Sequence, residues 1–73
     1  MVGIRKLKNN IGNKIHFLRL EQGISQEKLA EYVNMSREHI SCIENAKNLP
    51  TIETLYKLAN FFKIDIKDFF DIK

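Results

Sequence analysis

In the stretch "NMSREHISCIENAK" (residues 34 to 47), Arg37, Glu38, Ser41 and Cys42 fall on one side of a short helix, and their types set what that side can do. Ser36 is placed to cap the helix, with the acidic Glu38 early in its first turn. Ile40 and Ile43 turn the opposite side inward. The outward set offers an arginine fork, a carboxylate, a hydroxyl and a thiol, which is hydrogen-bonding chemistry. No base stands with an activated nucleophile, so the chain does not read as an enzyme. His16, His39 and Cys42 are too scattered for a zinc site, and the pair His39 and Cys42, three apart, supplies at most two ligands. No metal or other cofactor is expected.

The elements that must carry this face are bounded by size. Seventy-three residues make one domain with a modest core and a stability of a few kcal/mol. Hydrophobic residues at 44% and charged ones at 29%, with three glycines and one proline, describe a compact chain and argue against a turn-rich β design. A single cysteine excludes an internal disulfide and the disulfide-stapled secreted class. The opening "MVGIRKLKNNIG" lacks an apolar run of signal-peptide or membrane-span length, so the expected location is cytoplasmic, with no membrane partner.

The net charge is +3, and Arg5, Lys6 and Lys8 in residues 1–9 account for all of that excess. Residues 25–48 carry three basic against four acidic side chains. The basic character therefore belongs to an N-terminal arm, residues 1–9, ahead of a domain at 10–73.

Punctuation divides the domain into five short helices. The first is expected from about Asn10 to Gln22, with Ile11, Ile15 and Leu18 inward and Gly23 as a left-handed terminator. Ser25 caps the second, which buries Leu29, Ala30 and Val33. Only Asn34 and Met35 separate it from the Ser36 cap, the dimension of a helix-turn-helix. The third helix ends near Asn45. Thr51 caps a fourth with Ile52, Leu55, Leu58, Ala59 and Phe62 as its apolar stripe. Asp65 is expected to cap a short fifth, "IKDFFD", returning Phe69 and Phe70 to the core.

From about Ile11 to Phe70 the chain closely resembles the helix-turn-helix domains of the phage Cro and repressor, or XRE-type, family. The likeness is strongest in "LRLEQGISQEKLAE" and "ISCIENAKNLPTIETLYKLA". It implies an all-α, five-helix lambda-repressor-like domain whose third helix enters a DNA major groove. It further implies a phosphate contact and support for the recognition helix from Gln26, phosphate contacts from Asn45 and Lys47, a weaker one from Asn48, and an internal ion pair between Arg19 and Glu44. Ser36 and His39 lie at the same phosphate-facing edge, and Arg5, Lys6 and Lys8 are further phosphate candidates.

Base reading is left to Arg37, Glu38, Ser41 and Cys42. Arg37 suits a bidentate contact to guanine or a phosphate contact. Glu38 suits orientation of Arg37, acceptance from a cytosine amine, or repulsion of wrong sequences. Cys42 stands where the family commonly has a longer polar side chain; it can touch a thymine methyl or simply leave room. Phe17 and Leu20 lie where the family usually shows charge, to be covered by Val2, Ile4 and Leu7 of the arm or by a second subunit. Tyr56, Phe61, Ile66 and Ile72 are surplus apolar groups suited to a dimer seam.

The expected function is sequence-specific, double-stranded DNA binding by a homodimeric transcriptional regulator on a palindromic operator, of the small phage-repressor or restriction-modification controller type. The alternative is an antitoxin or adaptor whose fold mainly binds a partner protein. The deficit of positive charge in residues 25–48 is what keeps it open.

Overall fold

The computed structural model describes residues 3–70 and contains four α-helices followed by one 3-10 helix: α1 Ile4–Glu21, α2 Gln26–Tyr32, α3 Arg37–Glu44, α4 Ile52–Phe62, and the 3-10 segment Ile66–Phe70. Helix α3 packs on both α1 and α2, and the 3-10 segment closes against α1 and α4. One core joins them: Ile11 and Ile15 of α1, Leu29 and Ala30 of α2, Ile40 and Ile43 of α3, Leu55, Leu58, Ala59 and Phe62 of α4, and Phe69.

Local chemistry sets the helix starts. The hydroxyls of Ser25, Ser36 and Thr51 accept from the backbone N–H of Lys28, His39 and Thr54 at 3.0, 3.1 and 3.2 Å. Each satisfies one of the first-turn N–H groups that has no partner within its helix. The helix ends share one device. Gly23, Asn34, Ala46 and Lys63 take left-handed φ values of 66°, 56°, 61° and 59°, and the following amides of Ile24, Met35, Lys47 and Ile64 bond back to the carbonyls of Arg19, Ala30, Cys42 and Ala59. This reversal returns the chain toward the helix it has just left. Only the first of the four corners uses glycine.

Several expectations give way to tertiary packing. Residues 4–9 belong to α1 and do not stand apart as an arm, so the helix begins at Ile4 instead of near Asn10. Its first turn has no acidic residue and no side-chain cap, and Arg5, Lys6 and Lys8 oppose its dipole. Leu7 packs on the core in line with Ile11 and Ile15, and that burial outweighs the unfavourable terminus. Leu7 and Ile4 therefore do not cover Phe17 and Leu20, each 57% exposed, and Val2 lies outside the described residues.

Ile52 is 65% exposed, because the first turn of α4 projects past the edge of the core. The fifth element is 3-10, and its opening bond runs opposite to expectation: Asp65 N–H donates to Asp68 Oδ2 at 3.2 Å. Asp65 contributes its carbonyl, accepting from Asp68 N–H at 2.9 Å. Phe69 reaches the core while Phe70 stays exposed, since so short a segment cannot aim two successive rings inward.

Candidate nucleic-acid interface

Helix α3 is held from behind by two unlike contacts. Ile40 and Ile43 are fully buried. Beside them Gly12 of α1 lets the two backbones meet: a Cβ at Gly12 would lie 2.5 Å from the Ile43 carbonyl oxygen and 2.9 Å from that of Glu44. Nothing in the motif pattern of the sequence singles out Gly12. The available signal was a glycine inside a helix, which costs about 1 kcal/mol relative to alanine and so marks a packing need.

The end of α3 is fastened by the Glu44 carboxylate, whose side chain is 3% exposed. Its Oε2 accepts from Arg19 Nε at 2.8 Å, and its Oε1 accepts from Arg19 Nη2 at 3.1 Å, from Gln26 Nε2 at 3.2 Å and from His16 Nδ1 at 2.8 Å. Arg19 Nη1 also donates to the Ile24 carbonyl at 2.8 Å, tying the same guanidinium to the α1–α2 corner. One carboxylate thus joins α1, α2 and α3. Among the described residues no buried side-chain nitrogen or oxygen lacks a partner.

On the sequence alone His16 is only a scattered metal-ligand type. Its role here needs the three-dimensional approach of α1 to Glu44. A carboxylate only accepts, so His16 Nδ1 carries a proton. Arg19 Nη2, 3.3 Å from that nitrogen, then makes no hydrogen bond to it. Among the described residues no three metal-ligating side chains converge.

Burial alone pushes the Glu44 carboxyl up, but the hydrogen bonds from Arg19, His16 and Gln26, with the Arg19 charge, more than offset this and hold it below its ordinary value of 4.5. Its ionised form is thus favoured more in the folded than in the unfolded chain. The resulting stabilisation is full above the ordinary carboxylate range and is lost as pH falls through the lowered folded value. Urea unfolding followed across this range should show that acid loss, with a shallower dependence in Glu44→Gln. Equal slopes for both proteins would remove Glu44 as its source.

On the outward side, Arg37 and Glu38 are exposed and no ion pair joins them, so Glu38 does not hold Arg37 in the free protein. Ser41 and Cys42 are half-buried, set back toward the helix contacts and not fully outward. Asn45 Nδ2 donates to Ser41 Oγ at 3.2 Å. Ser36, Asn45, Lys47 and Asn48 are exposed along the rim, His39 is half-buried, and Gln26 is half-buried with one amide hydrogen committed to Glu44. Arg5 and Lys6 are exposed on the first turns of α1, and Lys8 is half-buried.

The short α2–turn–α3 unit has counterparts elsewhere, and a family model described as helix-turn-helix matches residues 15–69. The chain belongs to the helix-turn-helix family. This bears out the Cro and repressor-type resemblance. An uncharacterised HTH-type transcriptional regulator of Methanocaldococcus jannaschii is 36% identical over 58 residues, 80% of this helix-turn-helix chain and 88% of that protein. The HTH-type transcriptional regulator PuuR of Escherichia coli is 36% identical over 59 residues, 81% of this chain but 32% of PuuR. The solved restriction-modification controller protein C.AhdI of Aeromonas hydrophila superposes with a TM-score of 0.78 at 24% identity, over 85% of this chain and 90% of that one. The last likeness establishes the all-helical fold. Among the described residues no helix is long and apolar enough to cross a membrane.

Proposed function

We propose that this helix-turn-helix protein is a sequence-specific, double-stranded DNA-binding transcriptional regulator, working as a homodimer on a palindromic operator in the cytoplasm. The observation that carries the reading is the setting of α3. Its inner side is buried on α1 and α2, its end is clamped through Glu44, and a polar face starting at Arg37 is presented outward. The names of the related regulators and of the controller protein support the same reading.

In this reading Arg37, Glu38, Ser41 and Cys42 face base edges. Gln26, Ser36, His39, Asn45, Lys47 and Asn48 face phosphates, with Arg5, Lys6 and Lys8 adding cations from the start of α1. Glu38, unpaired with Arg37, is available to accept from a cytosine amine or to repel wrong sequences. The dimer seam is best drawn through Tyr56, 60% exposed, and Ile52 one turn before it on α4. Phe61 and Ile66 are partly spent on the core, and Ile72 lies outside the described residues.

Selection of bound duplexes from a random pool is expected to return a two-fold site with half-sites about 34–36 Å apart. Affinity for that site should exceed affinity for random DNA by at least about a thousandfold and fall steeply with salt. Equal affinity for both DNAs would defeat the proposal. Arg37→Ala should relax preference at one base pair by about 1–3 kcal/mol, whereas a uniform loss over all sequences would reassign Arg37 to phosphate.

A protein-binding role is favoured by one other feature. Tyr32 and Phe61 stack at 5.2 Å beside a groove of about 450 Å³ lined also by Val33, Asn34, Lys57 and Asn60. An antitoxin or adaptor would use such a groove for a partner, and failure of the DNA experiment would leave this reading in place.

A further inference from the structure

We infer that His16 is a DNA-phosphate contact that takes up a proton when the duplex binds, so that affinity for DNA depends on pH. This rests on the DNA-binding reading above. The His16 side chain is 51% exposed, yet its Nδ1 is pinned to Glu44 Oε1 at 2.8 Å. Around it stand Gln26, the first residue of α2, and Glu44, the last of α3, followed directly by Asn45. The ring is therefore oriented at the edge where the proposed phosphate contacts gather.

The proton follows from the inventory of donors. With Nδ1 committed as a donor to Glu44, the neutral ring leaves Nε2 as an acceptor. A phosphate oxygen also only accepts, so the two repel. Contact requires the imidazolium, in which both nitrogens donate, and the second proton comes from the buffer acid as the complex forms. The buffer acid's bond to that proton breaks as this N–H forms, and no other covalent bond changes. The charges facing the ring are the Glu44 carboxylate from α3 and, on its own helix, the Arg19 guanidinium with Nη2 3.3 Å from Nδ1; α2 presents the neutral amide of Gln26. A bound phosphate adds a second anion and tips the ring to its charged form. His39 differs, because among the described residues its ring has no hydrogen-bond partner, and it can meet a phosphate as a neutral donor. Among the described residues His16 is thus a conditional cation, unlike the permanent ones of Lys47 or Arg5.

The test measures binding of the full chain to its selected operator and to a random duplex across about pH 6 to 8, with calorimetry in buffers of different ionisation heat. Affinity is expected to fall by up to about tenfold per pH unit as pH rises, with the same slope on both DNAs because a phosphate contact is blind to sequence. The binding heat should report uptake of about one proton. His16→Gln should lose the slope and His39→Gln should keep it. Nitrogen chemical shifts of His16 in the wild-type complex should show both ring nitrogens protonated, a readout that does not require the variant to fold. Operator binding with no pH slope and buffer-independent heat, a slope that disappears with His39→Gln instead, or a neutral His16 in the complex would each overturn the inference while leaving the regulator reading intact. Absence of DNA binding at every pH would overturn both.

Discussion

Arg19→Met is expected to destabilise the protein by about 3–5 kcal/mol, most of what a domain of this size has, and to leave it largely unfolded at 25 °C. The loss arises less from the attraction removed than from what remains. Glu44, with its side chain 3% exposed, would keep its charge in a site where Arg19 had supplied two of its four hydrogen bonds. The Ile24 carbonyl would lose its partner as well. Glu44→Leu should be comparably harmful, because it strands the guanidinium. The double variant Arg19→Met with Glu44→Leu should recover a substantial part of the summed loss, since replacing both ions by apolar groups of similar volume leaves no unpaired charge. Urea unfolding of the four proteins provides the cycle. A loss below about 1 kcal/mol in Arg19→Met would mean that the pair behaves as a solvent-screened surface bridge.

Gly12→Ala carries the second large effect. In a free helix the change is favourable by about 1 kcal/mol. Here the new methyl would lie 2.5 Å from a backbone oxygen, and no rotamer can relieve a clash between Cβ and carbonyl. Helices α1 and α3 must move apart, which loosens Ile40 and Ile43 in their seats. Overpacking of this kind costs about 1–3 kcal/mol beyond the propensity gain. The displacement also shifts the Glu44 cluster and tilts the outward face of α3, so operator affinity should drop in the molecules that remain folded. Unfolding and DNA titration of the same sample separate the two effects. A net stabilisation near the propensity gain would show that the helices have room to spare.

What could be read along the chain was what neighbouring residues decide among themselves. Ser25, Ser36 and Thr51 act as caps because each needs only the amide three residues on, and Gly23 takes its left-handed corner because it lacks a Cβ. The Arg19–Glu44 pair is legible through the family likeness. Other features depend on where distant elements stop. Leu7 packs against a core drawn from all the later elements, and this accompanies the extension of α1 through residues of unfavourable charge. Ile52 fits the apolar spacing of α4, but among the described residues its side chain finds no cover and stays 65% exposed. His16 has no local signature, since its partner lies 28 residues away on another helix. The tie expected between Arg37 and Glu38 fails for a simpler reason, as adjacent helical residues point in different directions.

The left-handed corners at Asn34 and Ala46 bound an α3 of eight residues, a length at which an isolated peptide would be melted in water. Here both ends are tied and the middle is seated, so on the proposed reading the helix would meet a duplex already ordered. Association then carries no ordering entropy for the recognition element, and its heat-capacity change should reflect the surfaces that meet without a folding contribution. A protein face that does not adapt also transfers the work of fitting to its partner. On the proposed operator-binding reading, sequences whose central steps bend or narrow easily are expected to be favoured even where no side chain touches them, making the mechanical softness of the operator part of its address.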